Sequence, residues 1–64
     1  MQKGIVKWFD LERNHGFIQR DNDADVFVDG SVIEGGKPLN KGEHVNFELK
    51  EGDGRPKASR VVRA

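Results

Sequence analysis

Short runs of alternating hydrophobic and polar residues divide the chain into five predicted β-strands. The clearest run is residues 43–50, in which Val45, Phe47 and Leu49 alternate with polar neighbours. A period of two places the apolar side chains on one face of a strand. No segment keeps the apolar period of a long helix, and glycine or Asx-rich turns recur at short intervals. The predicted strands are residues 3–10, 15–20, 25–29, 43–50 and 57–63.

The segments between these strands are rich in turn-forming residues. The predicted loops and turns are residues 11–14, 21–24, 35–42 and 52–54. We expect Ser31 to cap a single helical or 3₁₀ turn through Ile33, because its hydroxyl can accept an otherwise unpaired backbone N–H. Closure removes the exposed edges of a short sheet, so five strands in 64 residues predict one all-β domain, a small antiparallel barrel spanning residues 1–64.

The second and third predicted strands sort two aromatic residues onto one face. Antiparallel pairing across the 21–24 turn places Phe17 opposite Phe27 and His15 opposite Asp29. The opposite face is aliphatic and is expected to pack with the apolar face of the fourth strand; it carries Ile18, Val26 and Val28. We therefore predict that Phe17 and Phe27 lie together on the outer surface. The alternatives are a loop or a second chain that covers them, or a register shifted by one residue.

The first strand does not alternate cleanly. One face would carry Ile5, Lys7 and Phe9, and the other Val6, Trp8 and Asp10, so each face mixes apolar and polar residues. This mixture predicts a bend or a bulge. The alternation leaves open whether Trp8 or Phe9 joins the outer face.

Composition and charge exclude several classes of function. Equal numbers of basic and acidic residues give zero net charge, which argues against affinity based on a strong basic field. Residues 21–34 hold five acids and no base, between two weakly basic blocks. The chain has no cysteine, and its two histidines fall on different strands, so we expect no metal and no cofactor. No base-activated nucleophile is present, and we expect no enzymatic activity.

The beginning of the chain lacks the apolar region of a signal peptide, and no apolar run reaches the length of a membrane span. We expect a cytoplasmic monomer with no membrane partner and no small-molecule substrate.

The motifs of the chain, in order, form the pattern of a known family. They are Gly4-Ile5-Val6-Lys7-Trp8-Phe9, Gly16-Phe17-Ile18, Asp25-Val26-Phe27-Val28, Ser31, Ile33, Gly42 and Pro56. Over essentially its whole length the chain resembles the bacterial cold-shock proteins. The resemblance implies an OB-type barrel that binds single-stranded RNA or DNA on an aromatic face, as an RNA chaperone or a regulator of transcription or translation.

The resemblance also assigns residues to the binding face. It places Trp8, Phe17 and Phe27 on a stacking platform, with Phe9 at the margin and Lys7 alongside. Bases would stack on the rings while nearby cations follow the phosphate backbone. The expected nucleic-acid-binding residues are Lys7, Trp8, Phe9, Arg13, His15, Phe17, Phe27, Asp29 and Arg55.

The chain departs from the family pattern on this face. His15 stands where the family usually has an aromatic residue, and Asp29 and Gly30 stand where it usually has His and Phe. The long loop is shortened and has Pro38 near the place of its usual aromatic. Losing one full stack and weakening another costs about 2–4 kcal/mol. We therefore expect weaker binding, or a shorter footprint, than in a relative with the full platform.

The pairing of His15 with Asp29 suggests a pH dependence. The carboxylate favours a charged imidazolium, which could stack on a base as a cation and neutralise Asp29. We expect tighter binding at mildly acid pH, abolished in Asp29→Asn.

Two other functions explain part of the sequence. Exposed Phe17 and Phe27 would also suit a barrel that has become a protein-interaction module with little nucleic-acid binding. An OB domain like that of an initiation factor would bind nucleic acid, but it does not explain the Lys7-Trp8-Phe9 element.

Overall fold

The computed structural model describes residues 1–50 and 54–64 of the chain. Each predicted strand is present, with ends within one residue of the prediction. The elements are β1 (Gln2–Asp10), β2 (His15–Gln19), β3 (Val26–Asp29), a 3₁₀ turn (Gly30–Val32), β4 (His44–Lys50) and β5 (Lys57–Arg63). Except for Gly54, the predicted turn at 52–54 lies outside the described residues.

The five strands close into a barrel in the order β1-β2-β3-β5-β4. This confirms the predicted all-β barrel, with one pairing that differs from the antiparallel expectation. The β3–β5 contact is parallel, pairs Phe27 with Lys57, and includes a 3.0 Å hydrogen bond from the Phe27 N–H to the Pro56 carbonyl oxygen. Strand direction cannot alternate all the way around a closed ring with an odd number of strands. One parallel pairing is therefore unavoidable.

The register between β2 and β3 is the predicted one. His15 pairs with Asp29, Phe17 with Phe27 and Ile18 with Val26. The inward side chains fill the barrel with a single hydrophobic core around Phe47, and Leu49 is half-buried beside it. The buried core residues are Val6, Ile18, Val26, Val28, Ile33, Leu39, Val45, Phe47, Ala58 and Val61.

A bulge in β1 resolves the mixed pattern of that strand. The register with β2 shifts between Val6 and Trp8, so Lys7 is the additional residue. The shift turns Trp8 outward, where it is 40% exposed, and lets Phe9 pack against the core. Phe9 lies opposite Gly16, where a Cβ would collide with the Trp8 carbonyl oxygen and the Phe9 Cα. Only glycine permits this close approach of β1 and β2.

The expected cap of the short helical turn was wrong. Asp29, not Ser31, is the N-cap, and its side chain accepts a hydrogen bond from the Ser31 N–H. Asp29 has the extended backbone of a cap residue, and its carboxylate reaches the N–H two residues ahead. Ser31 lies inside the turn, where its own N–H is the group that needs a partner.

The segment between the 3₁₀ turn and β4 is irregular, as predicted for residues 35–42, but it is anchored. Leu39 is buried in the core. The Arg63 guanidinium donates to the Glu43 carboxylate and to the carbonyl oxygens of Lys37 and Pro38. These contacts hold the segment against β5, on which Arg63 lies.

Candidate nucleic-acid interface

Four aromatic side chains form a contiguous cluster on the outside of β1, β2 and β3, here called the aromatic face: Trp8, Phe17, Phe27 and His15. Ring centroids are 5.3 Å apart for Trp8 and Phe17, and 5.7 Å for Phe17 and Phe27, in edge-to-face contact. His15 lies 5.4 Å from Phe27 and 6.0 Å from Trp8. Such contacts fix the rings relative to one another.

The sequence places the rings there through strand alternation and one bulge. Phe17 and Phe27 are a cross-strand pair whose chain neighbours, Ile18 and Val26, point into the core. Trp8 reaches the same face because the β1 bulge pairs it with Phe17. The rings therefore lie over the tightly packed core, and their outer sides stay accessible to solvent.

The cations expected at this face differ in their partners. The Arg55 guanidinium lies over the Phe17 ring, 5.9 Å from its centroid, within the range of a cation–π contact. The Lys7 ammonium pairs with the Asp25 carboxylate at 2.9 Å. The Arg13 side chain is 75% exposed, and its guanidinium lies 3.9 Å from the Asp10 carboxylate. Arg55 is thus the cation that touches a ring, whereas Lys7 is held by an acid.

Of the predicted site residues, the structure brings five into one contiguous cluster, formed by the aromatic face and Arg55. Asp29 adjoins the cluster as the cross-strand partner of His15. Phe9 packs against the core instead, and Arg13 lies in the β1–β2 loop beside Asp10.

Asp29 is an ordered, ionised group at the His15 end of the aromatic face. Its Oδ1 accepts the Ser31 N–H at 2.9 Å. Hydrogen bonding from the backbone and side chain of Ser31 lowers the pKa of Asp29, desolvation opposes this, and the positive charges of Lys57 and His15 add smaller lowering effects. The main interaction of the carboxylate is therefore its hydrogen bond to the 3₁₀ turn. The pH dependence of binding expected from the His15–Asp29 pair stays a prediction.

The aromatic face ends in polar groups beyond Asp29. The Gly30 N–H donates to the Asn14 carbonyl oxygen at 2.8 Å. The Asn14 side chain lies where a side chain at Gly30 would be, since a Cβ there would collide with it. Asn14 has a positive φ of 57°, a conformation that Asn tolerates better than most residues. The space next to Phe27 and Asp29 is thus bounded by an amide instead of a further ring.

Sequence reasoning missed Lys57. It pairs with Phe27 across the β3–β5 contact, and its charge lowers the pKa of Asp29. No local sequence pattern predicts that Lys57 lies beside Phe27, because the pairing joins distant segments. The argument that an odd-stranded ring needs one parallel pairing was the available signal, although it does not by itself give the register.

The described residues include no helix long and apolar enough to cross a membrane. Within the same residues, no group of three or more His, Cys, Asp or Glu side chains is arranged to hold a metal ion. The arrangement on the outside of the barrel offers ring edges and faces, several cations and a few hydrogen-bonding groups.

Known proteins are similar in sequence to this chain along nearly all of its length. The 'cold-shock' DNA-binding domain family matches residues 2–64. The cold shock protein CspA of Staphylococcus saprophyticus and the cold shock protein CspD of Bacillus subtilis are each 48% identical to it over 65 residues. The cold shock protein CspB of Bacillus caldolyticus is 45% identical over 65 residues. Each alignment covers 98% of this chain and 98% of the relative. The chain belongs to the cold-shock domain family of nucleic-acid-binding proteins.

Proposed function

We propose that this protein binds single-stranded RNA or DNA by stacking bases on the aromatic face. The observation that carries the proposal is the cluster of mutually contacting rings on the outer side of β1–β3, with Trp8 40% exposed. A contiguous exposed apolar surface marks a binding site. The flat faces of nucleic acid bases stack on aromatic rings of this kind.

Stacking supplies most of the binding energy in this proposal. Each base has a π-face, so stacking tolerates sequence and contributes about 1–3 kcal/mol per base. Lys7, Arg13 and Arg55 follow the phosphate backbone and add a weak electrostatic attraction, consistent with zero net charge. Affinity should therefore fall with salt less steeply than for a strongly basic protein.

A single strand held by its bases cannot pair with another strand. The protein would thereby act as an RNA chaperone, or as a regulator of transcription or translation through the secondary structure of its target. We propose that it does so in the cytoplasm as a monomer, with no catalytic step and no small-molecule substrate. The absence of a ring at Gly30 supports a shorter footprint than a full platform would give.

The test is a titration of Trp8 fluorescence with short oligo(U) and oligo(dT) strands at two salt concentrations. We expect quenching in both series, and the pair of series gives the preference between RNA and DNA. Phe17→Ala should weaken binding by about 5- to 150-fold, the equivalent of one lost stack. Ile5→Ala is the control, because Ile5 is an exposed apolar residue of β1 that pairs with Gln19 and His44, away from the aromatic face.

Ile5→Ala should leave affinity unchanged. Absence of quenching at high micromolar strand would contradict the proposal and favour the protein-interaction module, for which the same exposed rings would form the interface.

A further inference from the structure

We infer that Asp29 makes this protein prefer bases that carry an exocyclic amino group, such as cytosine, over uracil at the His15 end of the aromatic face. The inference rests on the proposed function, since it concerns a base bound on that face. It identifies Asp29 as a specificity-determining residue.

The position of Asp29 brings it to the edge of a stacked base. Asp29 follows Phe27 by two residues on β3 and shares its outward direction, which places the two about 7 Å apart along the strand. It is also the cross-strand partner of His15, whose ring lies 5.4 Å from Phe27. A base lying on Phe27 or His15 therefore has the carboxylate beside its edge.

The carboxylate is held in a fixed orientation. The Ser31 N–H donates to Oδ1 at 2.9 Å, as part of the cap of the 3₁₀ turn. A carboxylate offers about four lone-pair sites, so the cap leaves acceptor capacity for a ligand. The lowered pKa of Asp29, caused first by that hydrogen bond, keeps the group ionised at neutral pH. It is consequently an acceptor and never a donor.

Neighbouring groups confine a base at this end. The Asn14 side chain occupies the space over Gly30, so the aromatic face does not continue past Asp29. Lys57 lies opposite Phe27 and close enough to influence Asp29 electrostatically. The Lys57 ammonium can bind a phosphate, whereas the Asp29 carboxylate repels one. A bound strand should therefore present a base, and not a phosphate, to Asp29.

The chemistry of an acceptor-only group separates the pyrimidines. Cytosine presents an N4 amino group, which donates to a carboxylate, as Asp and Glu do when they recognise cytosine in duplex DNA. Uracil presents the O4 carbonyl oxygen at the same place, and two acceptors repel. The two bases have nearly the same size and ring, so the comparison isolates this one group.

The experiment measures the dissociation constants of equal-length oligo(U) and oligo(C) by Trp8 quenching for the unsubstituted protein and three variants. Asp29→Asn keeps the size and a capping side chain but adds an amide donor, and Asp29→Ser keeps a capping hydroxyl. Asp25→Asn is the matched control, because it removes a carboxylate from the Lys7 end of the same face. Thermal melting checks that each variant folds.

We expect the Kd ratio of oligo(U) to oligo(C) to fall by about fivefold or more in both Asp29 variants, the lower end of base discrimination by one side chain. Asp25→Asn should tighten both strands alike by freeing Lys7, and leave the ratio unchanged. A ratio that is the same in the unsubstituted protein and in Asp29→Asn overturns the inference while the proposed function stands. A wild-type protein that binds neither strand overturns both.

Discussion

The two faces of the β2–β3 hairpin use the same backbone for different purposes. On the inner face, Ile18, Val26 and Val28 are each 0% exposed and close the barrel core. On the outer face, Phe17 and Phe27 contact each other while staying partly open to solvent. Alternation assigns adjacent residues to opposite faces, so a step of one residue along a strand separates a group that stabilises the fold from one that is available to a ligand.

The largest effect is expected on the inner face. Ile18→Ala removes a fully buried side chain beneath the aromatic face and leaves a cavity in a small core. The expected loss is about 2–5 kcal/mol in the free energy of unfolding, measured by urea denaturation. Because a domain of this length is only marginally stable, the variant should be largely unfolded at 37 °C.

Gln19→Ala, at the neighbouring exposed position of β2, is the control and should change the unfolding midpoint little. Equal destabilisation by the two variants would contradict the assignment of faces.

On the outer face, a substitution should reduce affinity for nucleic acid more than it reduces stability. Phe27→Ala removes the ring that contacts both Phe17 and His15, and affinity for oligo(U) should fall by about 5- to 150-fold. The loss in unfolding free energy should be clearly smaller than for Ile18→Ala, because part of the ring surface is already in water. Fluorescence titration and urea denaturation of the same preparation separate the two quantities. A variant that loses stability but keeps its affinity would show that Phe27 supports the fold instead of the ligand.

Local periodicity was enough to predict the inner face. Each β2 and β3 side chain faces one of only two sides, and the pairing of Ile18 with Val26 follows from the turn between the strands. The same reasoning predicted the Phe17–Phe27 pair. It did not resolve Trp8, because a bulge changes the alternation by one residue, and the sequence shows only that the pattern is disturbed. The cold-shock resemblance placed Trp8 on the outer face, and the structure has it there.

Contacts between distant segments were beyond the reach of the sequence. Lys57 meets Phe27 only because β5 closes the ring against β3. Asn14 fills the space at Gly30 through the β1–β2 loop, a contact that depends on the conformation of a single left-handed residue. Asp29 was expected to act on His15, and the cap of the 3₁₀ turn, which Asp29 provides, was assigned to Ser31. Competition among several short polar side chains for one N–H is settled by geometry, which composition does not contain.

A smaller effect tests the electrostatics at the His15 end of the outer face. Lowering the pH from about 8 to 5.5 is expected to tighten binding by up to about fivefold, the most that an exposed charge pair contributes. Asp29 and Lys57 are the charged groups nearby. Asp29→Asn and His15→Asn should both abolish the change. His44→Gln, which removes the other histidine of the chain, should preserve it. A flat profile would show that the pair does not act on the ligand.

The smallest expected effect is a contribution of the outer face to the stability of the fold, and it comes from Asp29. Its pKa is lowered in the folded protein, chiefly by the hydrogen bond from the Ser31 N–H. The unfolded value is about 3.9. The ionised form is therefore favoured by folding, so its contribution is complete above that pH and is lost as the pH falls through the lower folded value.

Asp29→Asn retains a capping acceptor but does not titrate. Between about pH 5 and 2 the melting temperature of the unsubstituted protein should fall further than that of the variant. Glu43, whose pKa is lowered mainly by a hydrogen bond from the Asn40 N–H, titrates in both proteins and cancels in the comparison. Parallel curves would mean that the charge of Asp29 adds nothing to stability. A difference in melting temperature that narrows as the pH falls would show that the ionised carboxylate of Asp29 stabilises the folded protein.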